Sequence, residues 1–183
     1  QDMQKAIQEK NDDQNNGISR MVATYDWEYS SKSSPKDGSE YWQVSEGDWK
    51  MPWNYQVEKP RKTDNGVSYK ELPWAQQPVT IEEIGSTYTV QGFDLNYVGV
   101  EIGPSVKLEN GVIKYFPEES CNKEAVQKRA LMNGKGKSFA KKLLPNELNV
   151  LLTRGVHGLY LHAVDPALQH ALEEAAGKDR VVE

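Results

Sequence analysis

Two polar turns in this sequence carry side chains that could do chemistry. The first lies within "STYTVQGFDLNYVGVEIG" (residues 86–103) and the second within "NVLLTRGVHGLYLHAV" (residues 149–164), which contains Thr153 and Arg154. A guanidinium stays charged and is costly to bury without partners. Arg154 is therefore either paired locally, with Asp165 or the C-terminal end of a helix, or presented to an anion.

The side chains of these turns favour recognition of phosphate and ribose over proton transfer. The first turn supplies hydroxyls, an amide and one carboxylate, from Ser86, Tyr88, Thr89, Gln91 and Asp94. The sequence shows no convincing general base and no metal-ligand cluster, so no metal site is predicted. Each turn contains glycine and precedes a buried strand, and in open α/β sheets such turns are expected where ligands bind.

Other motifs are weaker. "NGKGKS" (residues 133–138) resembles a phosphate-binding loop, but Leu131 stands where that pattern has its first glycine, which favours a solvated loop. Glu101 resembles a Walker B acid, but without a phosphate-binding loop it is interpreted as the one polar residue of a central strand. His157 and His162 have an odd separation, so in a strand they lie on opposite faces and cannot share a metal. Each is interpreted as a surface or satisfied histidine.

The elements that position the two turns alternate between strands and helices. "SRMVATYDW" predicts a strand with Met21, Ala23 and Tyr25 on one face and Arg20, Val22 and Thr24 on the other. "STYTV", "YVGVEIG" and "HGLYLHAV" also predict strands, "KLENGVIKYF" predicts a hairpin around Asn110-Gly111, and Asp165 begins a helix. Thr80 and Glu83 predict a capping box for a short helix, and residues 123–142 predict a basic helical stretch. The pattern indicates an α/β fold with a mostly parallel sheet and flanking helices.

Residues 27–78 differ from the rest in composition. They are rich in Ser, Lys, Asp, Gly and Pro, yet residues 27–74 hold all five tryptophans. We interpret this stretch as an ordered, irregular insertion with short hairpins, one at the Asn-Gly pair of residues 65–66. The tryptophans are interpreted as a private core of the insertion, with a base-stacking platform as the alternative.

Length and charge narrow the function classes. The 183 residues suit one domain, and the net charge of -5 does not indicate a polyanion binder as a whole. The single Cys121 excludes an internal disulfide and favours a cytoplasmic location. No apolar run is long enough for a membrane span, so no membrane partner is expected. The first residue is Gln, and the opening segment suggests a piece of a longer protein.

The two turns together resemble motifs V and VI of superfamily 1 helicases. In the segments "GSTYTVQGFDLNYVGVEIGP" and "NVLLTRGVHGLYLHAVD", and upstream in "SRMVATYDWEYSSK", "PWN" and "LPWA", the chain is similar to an uncharacterised bacterial ATP/GTP-binding family related to the helicase half of Schlafen proteins. The resemblance extends from about residue 3 to 175. It implies that residues 1–183 form a second RecA-like domain, with residues 27–78 inserted where helicases carry their 2B domain.

The resemblance also implies roles for residues at the nucleotide. Arg154 matches the arginine finger that reaches the γ-phosphate of ATP, and Thr153 fixes its turn. Gln91 and Gly92 match the pair beside the nucleotide, and Asp94 stands where relatives have Glu as ribose ligand. The intact protein is expected to be an ATPase that binds ATP with Mg²⁺ on an N-terminal P-loop domain of the same chain. No cofactor and no hydrolysis are expected for this fragment alone.

Further residues match nucleic-acid and phosphate contacts. Ser86 and Tyr88 stand at positions that touch single-stranded DNA or RNA in helicases, and Tyr88 could stack on a base. Arg20 matches the phosphate-contacting arginine of motif IV. The lysines and arginine of residues 123–142 are the best candidate for further backbone contact.

Two alternatives remain open at the level of sequence. Asn96 and Asn149 depart from the helicase pattern, and the Walker motifs are absent. A RecA-like scaffold that binds nucleic acid or protein without nucleotide is therefore the second hypothesis. A hydrolase built on Cys121 and a histidine is the third, although acidic neighbours are expected to raise the thiol pKa.

Overall fold

The computed structural model describes residues 2–13, 17–54, 56–57, 62, 66–130 and 136–177. Its helices are α1 (Asp2–Asp12), α2 (Lys123–Val126), α3 (Ala140–Leu152) and α4 (Pro166–Ala176). Its strands are β1 (Ser19–Ala23), β2 (Gln43–Glu46), β3 (Trp49–Pro52), β4 (Leu95–Ile102), β5 (Val106–Glu109), β6 (Val112–Tyr115), β7 (Lys128–Ala130), β8 (Gly136–Ser138) and β9 (Gly155–Ala163). Short 3₁₀ helices span Tyr69–Glu71, Trp74–Gln76, Pro78–Glu82 and Pro117–Glu119.

The centre of the fold is a parallel sheet in the order β1-β4-β9. The strand β1 is buried along its whole length, and its alternate side chains enter two different apolar clusters. Met21 and Ala23 belong to one cluster and Val22 to the other, as the period of two predicted. The predicted α/β fold with a parallel sheet and flanking helices is confirmed.

Each face of the sheet has its own cover. The helix α1 and the hairpin β2–β3 contribute Ile7, Val44 and Met51 to one cluster. A Cβ on Gly99 would lie 2.9 Å from Ile7, so this glycine permits the close approach of α1 to β4. The helices α3 and α4 cover the other face and contribute Leu148, Leu151 and Leu168 to its cluster.

Several local predictions are confirmed. Asn110 and Gly111 have φ values of 53° and 74°, as a tight β5–β6 hairpin requires. The Asp165 carboxylate accepts a hydrogen bond from the Leu168 N–H at 2.9 Å and begins α4, with Pro166 as the first helical residue. Glu101 lies in the central strand β4 and is 2% exposed.

Three local predictions are wrong. "STYTV" is a turn, since the amides of Thr89 and Val90 both donate to the Ser86 carbonyl. Thr80 lies inside the 3₁₀ helix that ends at Glu82, and it donates its hydroxyl to backbone carbonyls instead of forming a capping box with Glu83. The basic stretch is divided among α2, the hairpin β7–β8 and the start of α3. Part of it, at residues 131–135, and Asn65 of the predicted Asn-Gly turn lie outside the described residues.

The tryptophans pack against the central sheet as well as against other residues of their own segment. Trp53 is fully buried in the cluster that contains Met21 and Ala23, and Trp74 belongs to the opposite cluster with Val22. All five indole N–H groups donate hydrogen bonds, for example Trp74 to the Glu83 carboxylate at 2.7 Å. The tryptophans therefore belong to the common core rather than to a private one.

None of the described helices is long and apolar enough to cross a membrane.

Candidate functional site

The structure brings the two predicted turns together. The Leu95 N–H donates to the Arg154 carbonyl at 2.8 Å, and Leu95 pairs with Gly155 where β4 and β9 begin. Both turns therefore lie at the amino ends of parallel strands. The open-sheet rule places ligands at the carboxyl ends, so that part of the reasoning from sequence is wrong.

Arg154 is held by three acceptors. Its Nε donates to the Val150 carbonyl at 3.0 Å, and its Nη1 lies 3.4 Å from both the Phe93 carbonyl and Asp94 Oδ1. The side chain of Arg154 is 20% exposed and that of Asp94 is 68% exposed. Nη2 has no hydrogen-bond partner in the part of the chain that the structure describes. Arg154 is thus anchored at the C-terminal end of α3, where carbonyl dipoles favour a cation, while part of its forked donor set stays unused.

Asp165, the other local partner considered for Arg154, is occupied elsewhere. Its Oδ1 accepts from the backbone amides of Leu108 and Leu168. The local partners of the guanidinium are therefore the end of α3 and the turn before β4.

The backbone around Arg154 is fixed by the end of α3. The Thr153 hydroxyl donates to the Asn149 carbonyl at 2.8 Å, and the Arg154 N–H donates to the Leu151 carbonyl at 3.2 Å. In the facing turn, Gln91 is exposed, and Gly92 has a φ of 75° with open space where a Cβ would stand. This turn therefore offers an accessible backbone beside the guanidinium.

Ser86 and Tyr88 differ in burial. Ser86 is fully buried, and its hydroxyl donates to Asn54 Oδ1 at 2.8 Å. Tyr88 is 51% exposed, while its hydroxyl donates to Asn122 Oδ1 at 2.8 Å. The Tyr88 ring is thus held in place while half exposed, and it packs against the Tyr25 ring at a centroid distance of 5.5 Å. An exposed aromatic ring is the group on which a base stacks. A contact between Ser86 and a nucleic-acid backbone would require its present bond to open, and it stays a prediction.

A buried carboxylate that the sequence analysis missed supports this region. Glu147 of α3 is 8% exposed, and it accepts hydrogen bonds from the Tyr25 N–H at 2.7 Å and from Asn122 Nδ2 at 2.8 Å. Burial raises the pKa of Glu147, and the hydrogen bonds from Asn122 and Tyr25 oppose this shift. Its sequence signal is an acidic residue on the apolar face of "PNELNVLL", next to Leu148 and Leu151. Because Asn122 also holds Tyr88, the network joins Tyr88 to α3, the helix that precedes Arg154.

Arg20 lies inside the protein. It is 3% exposed, and it donates to the Thr80 hydroxyl, to Asn11 Oδ1 and to the carbonyls of Ser19 and Gln77. Burial lowers the pKa of Arg20 to about 10, and the charge of Glu83 opposes this. The predicted phosphate contact of Arg20 would require this network to open, and it stays a prediction.

The basic hairpin β7–β8 follows α2, the short helix that begins at Asn122, and Asn122 is the residue that bonds the Tyr88 hydroxyl. Asn122 accepts a hydrogen bond from the Ala125 N–H and begins α2, which leads into β7. Lys128, Arg129 and Lys137 are all exposed on the hairpin. An exposed aromatic ring and a basic strand pair are therefore joined through one short helix.

The remaining candidates take structural positions. The thiol of Cys121 donates to the Asp26 carbonyl at 3.3 Å and bonds no histidine within the described ranges. Burial raises the pKa of Cys121, and Asp26 and Glu28 raise it further, which disfavours a nucleophilic thiolate. His162 Nδ1 lies 2.8 Å from Glu101 Oε1, so it is a satisfied histidine as predicted, while His157 is exposed.

The chain is similar in sequence to known proteins. A family model described as "Schlafen group 3, DNA/RNA helicase domain" matches residues 1–165. The chain is 40% identical over 172 residues to "Uncharacterized protein YPL245W" of Saccharomyces cerevisiae. The aligned region covers 93% of this chain and 34% of that protein. The chain therefore spans about a third of the length of this curated relative. The relative is a yeast protein, whereas the sequence resemblance pointed to a bacterial family. No solved structure matches.

Proposed function

The chain belongs to the Schlafen group 3 DNA/RNA helicase domain family, and on that premise we propose that it is the second RecA-like domain of a superfamily 1 helicase-like ATPase. In this proposal an N-terminal P-loop domain of the same protein binds ATP with Mg²⁺. The present domain completes that site with Arg154, and residues 27–78 are an insertion within it. The proposal applies to the longer protein, and the fragment alone is expected to be inactive.

The observation that carries the proposal is the state of the Arg154 guanidinium. It is anchored through Nε at 3.0 Å from the Val150 carbonyl, yet Nη2 has no partner among the described residues. An arginine finger needs this combination, because its donors must be preorganised and still free to meet charge on the γ-phosphate. The anchoring at α3 supplies the first condition and the unused donor supplies the second.

The facing turn fits the remainder of a nucleotide. Gly92 leaves its backbone accessible, and the exposed Gln91 and Asp94 offer an amide and a carboxylate for ribose hydroxyls. ATP supplies the phosphoryl group that is transferred. The residues of this chain bind and orient the nucleotide. Arg154 neutralises charge on the terminal phosphate. Thr153 stabilises the turn through its hydroxyl, which donates to the Asn149 carbonyl at 2.8 Å.

The test is ATP hydrolysis by the full-length protein, measured without nucleic acid. Replacing Arg154 with Ala should lower turnover by on the order of 10³, with only modest loss of nucleotide affinity. Arg154→Lys should also be strongly impaired, because one ammonium cannot reproduce the forked donors. The matched control is Arg129→Ala, which removes an exposed arginine of the basic hairpin and should leave turnover unchanged. If both Arg154 variants hydrolyse ATP like the parent, the proposal is wrong.

A second candidate function is favoured by the position of Tyr88. The exposed ring is fixed through Asn122, which begins the short helix that leads into the hairpin carrying Lys128, Arg129 and Lys137. An aromatic ring and a basic strand pair linked in this way suit a single strand with one stacked base. A RecA-like module could use this surface without nucleotide.

Fluorescence anisotropy with single-stranded DNA and RNA at several salt concentrations separates the two candidates. The double variant Lys128→Glu and Lys137→Glu should weaken binding and reduce the salt slope by about 0.7 for each phosphate contact that is lost. The matched control reverses Lys36 and Lys50, which lie outside the hairpin. Binding that survives Arg154→Ala, together with unchanged ATP turnover in that variant, would favour the non-motor module. Binding unaffected by the hairpin reversals would remove it.

A further inference from the structure

Three metal-ligating side chains converge at the other end of the sheet. Glu101 of β4 and His162 of β9 are register partners, and Glu46 reaches them from β2. His162 Nδ1 lies 2.8 Å from Glu101 Oε1 and 3.4 Å from Glu46 Oε2. The Glu101 side chain is 3% exposed, whereas those of His162 and Glu46 are 33% and 39% exposed.

The three side chains border a cavity of about 690 Å³. The cavity lies along β9 and is also lined by α1, α4 and the hairpin β2–β3. Its polar lining includes Gln169 and Glu173 of α4, and its apolar lining includes Trp49 and Leu172. The space can therefore admit water or a small ligand beside the three side chains.

Two carboxylates face one imidazole nitrogen in this arrangement. A ring nitrogen carries one proton at most, so His162 Nδ1 can donate to only one of the two carboxylates that face it. The nearer acceptor, Glu101, is buried, where an uncompensated carboxylate is costly. Glu46 comes from an independent hairpin and is still directed at the same atom at 3.4 Å.

We propose that Glu46, Glu101 and His162 bind a first-row transition-metal dication, with Zn²⁺ and Mn²⁺ as the best candidates, at the end of this cavity. Ligands about 2.0–2.2 Å from one tetrahedral ion lie about 3.4 Å from each other. The separations of 2.8 Å and 3.4 Å are near that value, so small side-chain shifts create the site. Imidazole with carboxylates favours Zn²⁺ or Mn²⁺ over Mg²⁺ and Ca²⁺. Three protein ligands beside a cavity leave a coordination position for water or a ligand.

The site is separate from the Arg154 turn. Glu101 is six residues beyond Leu95 along β4, which is about 20 Å at 3.3 Å per residue. It lies toward the carboxyl ends of β4 and β9, where open α/β sheets bind ligands. A metal here is therefore not the magnesium of the proposed ATP site.

Isothermal titration calorimetry of the 183-residue chain with Zn²⁺ and with Mn²⁺ tests the proposal, and Co²⁺ absorption reports the ligand geometry. The parent should bind one ion. Glu46→Gln and His162→Gln should each weaken binding by at least the 10–100-fold that loss of an outer-shell partner causes. The Glu46 side chain is 39% exposed, so Glu46→Gln should fold normally and decides the test if His162→Gln does not fold.

The control is the exposed pair His170 and Glu174, which are 3.6 Å apart on α4 and could bind metal weakly. Replacing His170 with Ala should leave the main binding event unchanged. The proposal is overturned if the parent shows no saturable binding of either ion, or if Glu46→Gln binds as tightly as the parent, whether or not His170→Ala loses binding.

Discussion

Arg20 and Arg154 were both predicted to contact phosphate, and the structure gives them opposite surroundings. Arg20 is 3% exposed, and its Nε, Nη1 and Nη2 all donate to acceptors of the chain. Arg154 is 20% exposed at its side chain and keeps Nη2 without a partner in the described residues. The comparison shows that a guanidinium can serve a ligand only when its anchoring leaves donors free.

The acceptors explain the difference. Arg20 meets two separate segments of the chain, one at Asn11 and one at Gln77 and Thr80, and therefore holds the end of α1 and the 3₁₀ region against β1. Arg154 meets only the end of its own helix and the neighbouring turn at Phe93 and Asp94. We therefore expect Arg20 to matter for stability and Arg154 for chemistry.

The largest expected effect on stability is that of Arg20→Ala. This change leaves buried acceptors at Ser19, Gln77 and Thr80 without their donor and should cost about 3–5 kcal/mol of unfolding free energy. Arg154→Ala in the same chain should cost less than about 1 kcal/mol, because its ion pair is partly exposed. Urea denaturation of both variants measures the contrast. Equal losses would show that Arg154 is as structural as Arg20.

The next effect is that of Glu147→Ala, which tests the buried acid on the helix that positions Arg154. Removing this carboxylate leaves the Tyr25 N–H and the Asn122 amide without their acceptor, which should cost about 2–3 kcal/mol. The control is Glu174→Ala on the exposed face of α4, which should be nearly neutral. A small loss for Glu147→Ala, near that of the control, would show that the network does not support the Arg154 helix.

A smaller effect appears in the pH dependence of stability. Burial raises the pKa of Glu147 and of Asp26 above their ordinary values of 4.5 and 3.8. Between each ordinary value and the raised one, the folded chain binds more protons than the unfolded chain, so these two groups make stability fall as pH rises through that window. Glu147→Gln should remove its share and flatten this slope, as chemical denaturation at successive pH values would show. An unchanged slope would contradict the assignment.

The smallest effect is expected for Asp94→Asn. The Asp94 side chain is 68% exposed and lies 3.4 Å from Arg154, so its loss should change stability by about 0.5 kcal/mol or less. Thermal unfolding measures this change in stability. The bond from the Thr153 hydroxyl to the Asn149 carbonyl is unchanged in the variant. A loss well above 1 kcal/mol would mean that Asp94 locks Arg154 in place, which would remove the contrast with Arg20.

The predictions that succeeded rest on contacts between near neighbours in the chain. Asp165 caps α4 and Asn110-Gly111 turns the β5–β6 hairpin, because both depend on backbone groups a few residues away. The strand prediction for "STYTV" failed because the Thr89 hydroxyl bonds the backbone N–H and carbonyl of Ser86, and such local side-chain bonds stabilise a turn in place of a strand. The capping box failed because the Thr80 hydroxyl is used by Arg20, which is distant in sequence.

The sequence by itself determined the α/β class, the strands β4 and β9, and the placing of a permanent charge at Arg154, since these follow from periodicity and residue type. Only the tertiary structure decided that Arg20 is enclosed while Arg154 keeps a free donor. It also decided that Glu46, Glu101 and His162 meet, although they come from three separate strands. The physical reason is that burial and donor satisfaction depend on which distant segments pack over a side chain, and local pattern does not contain that information.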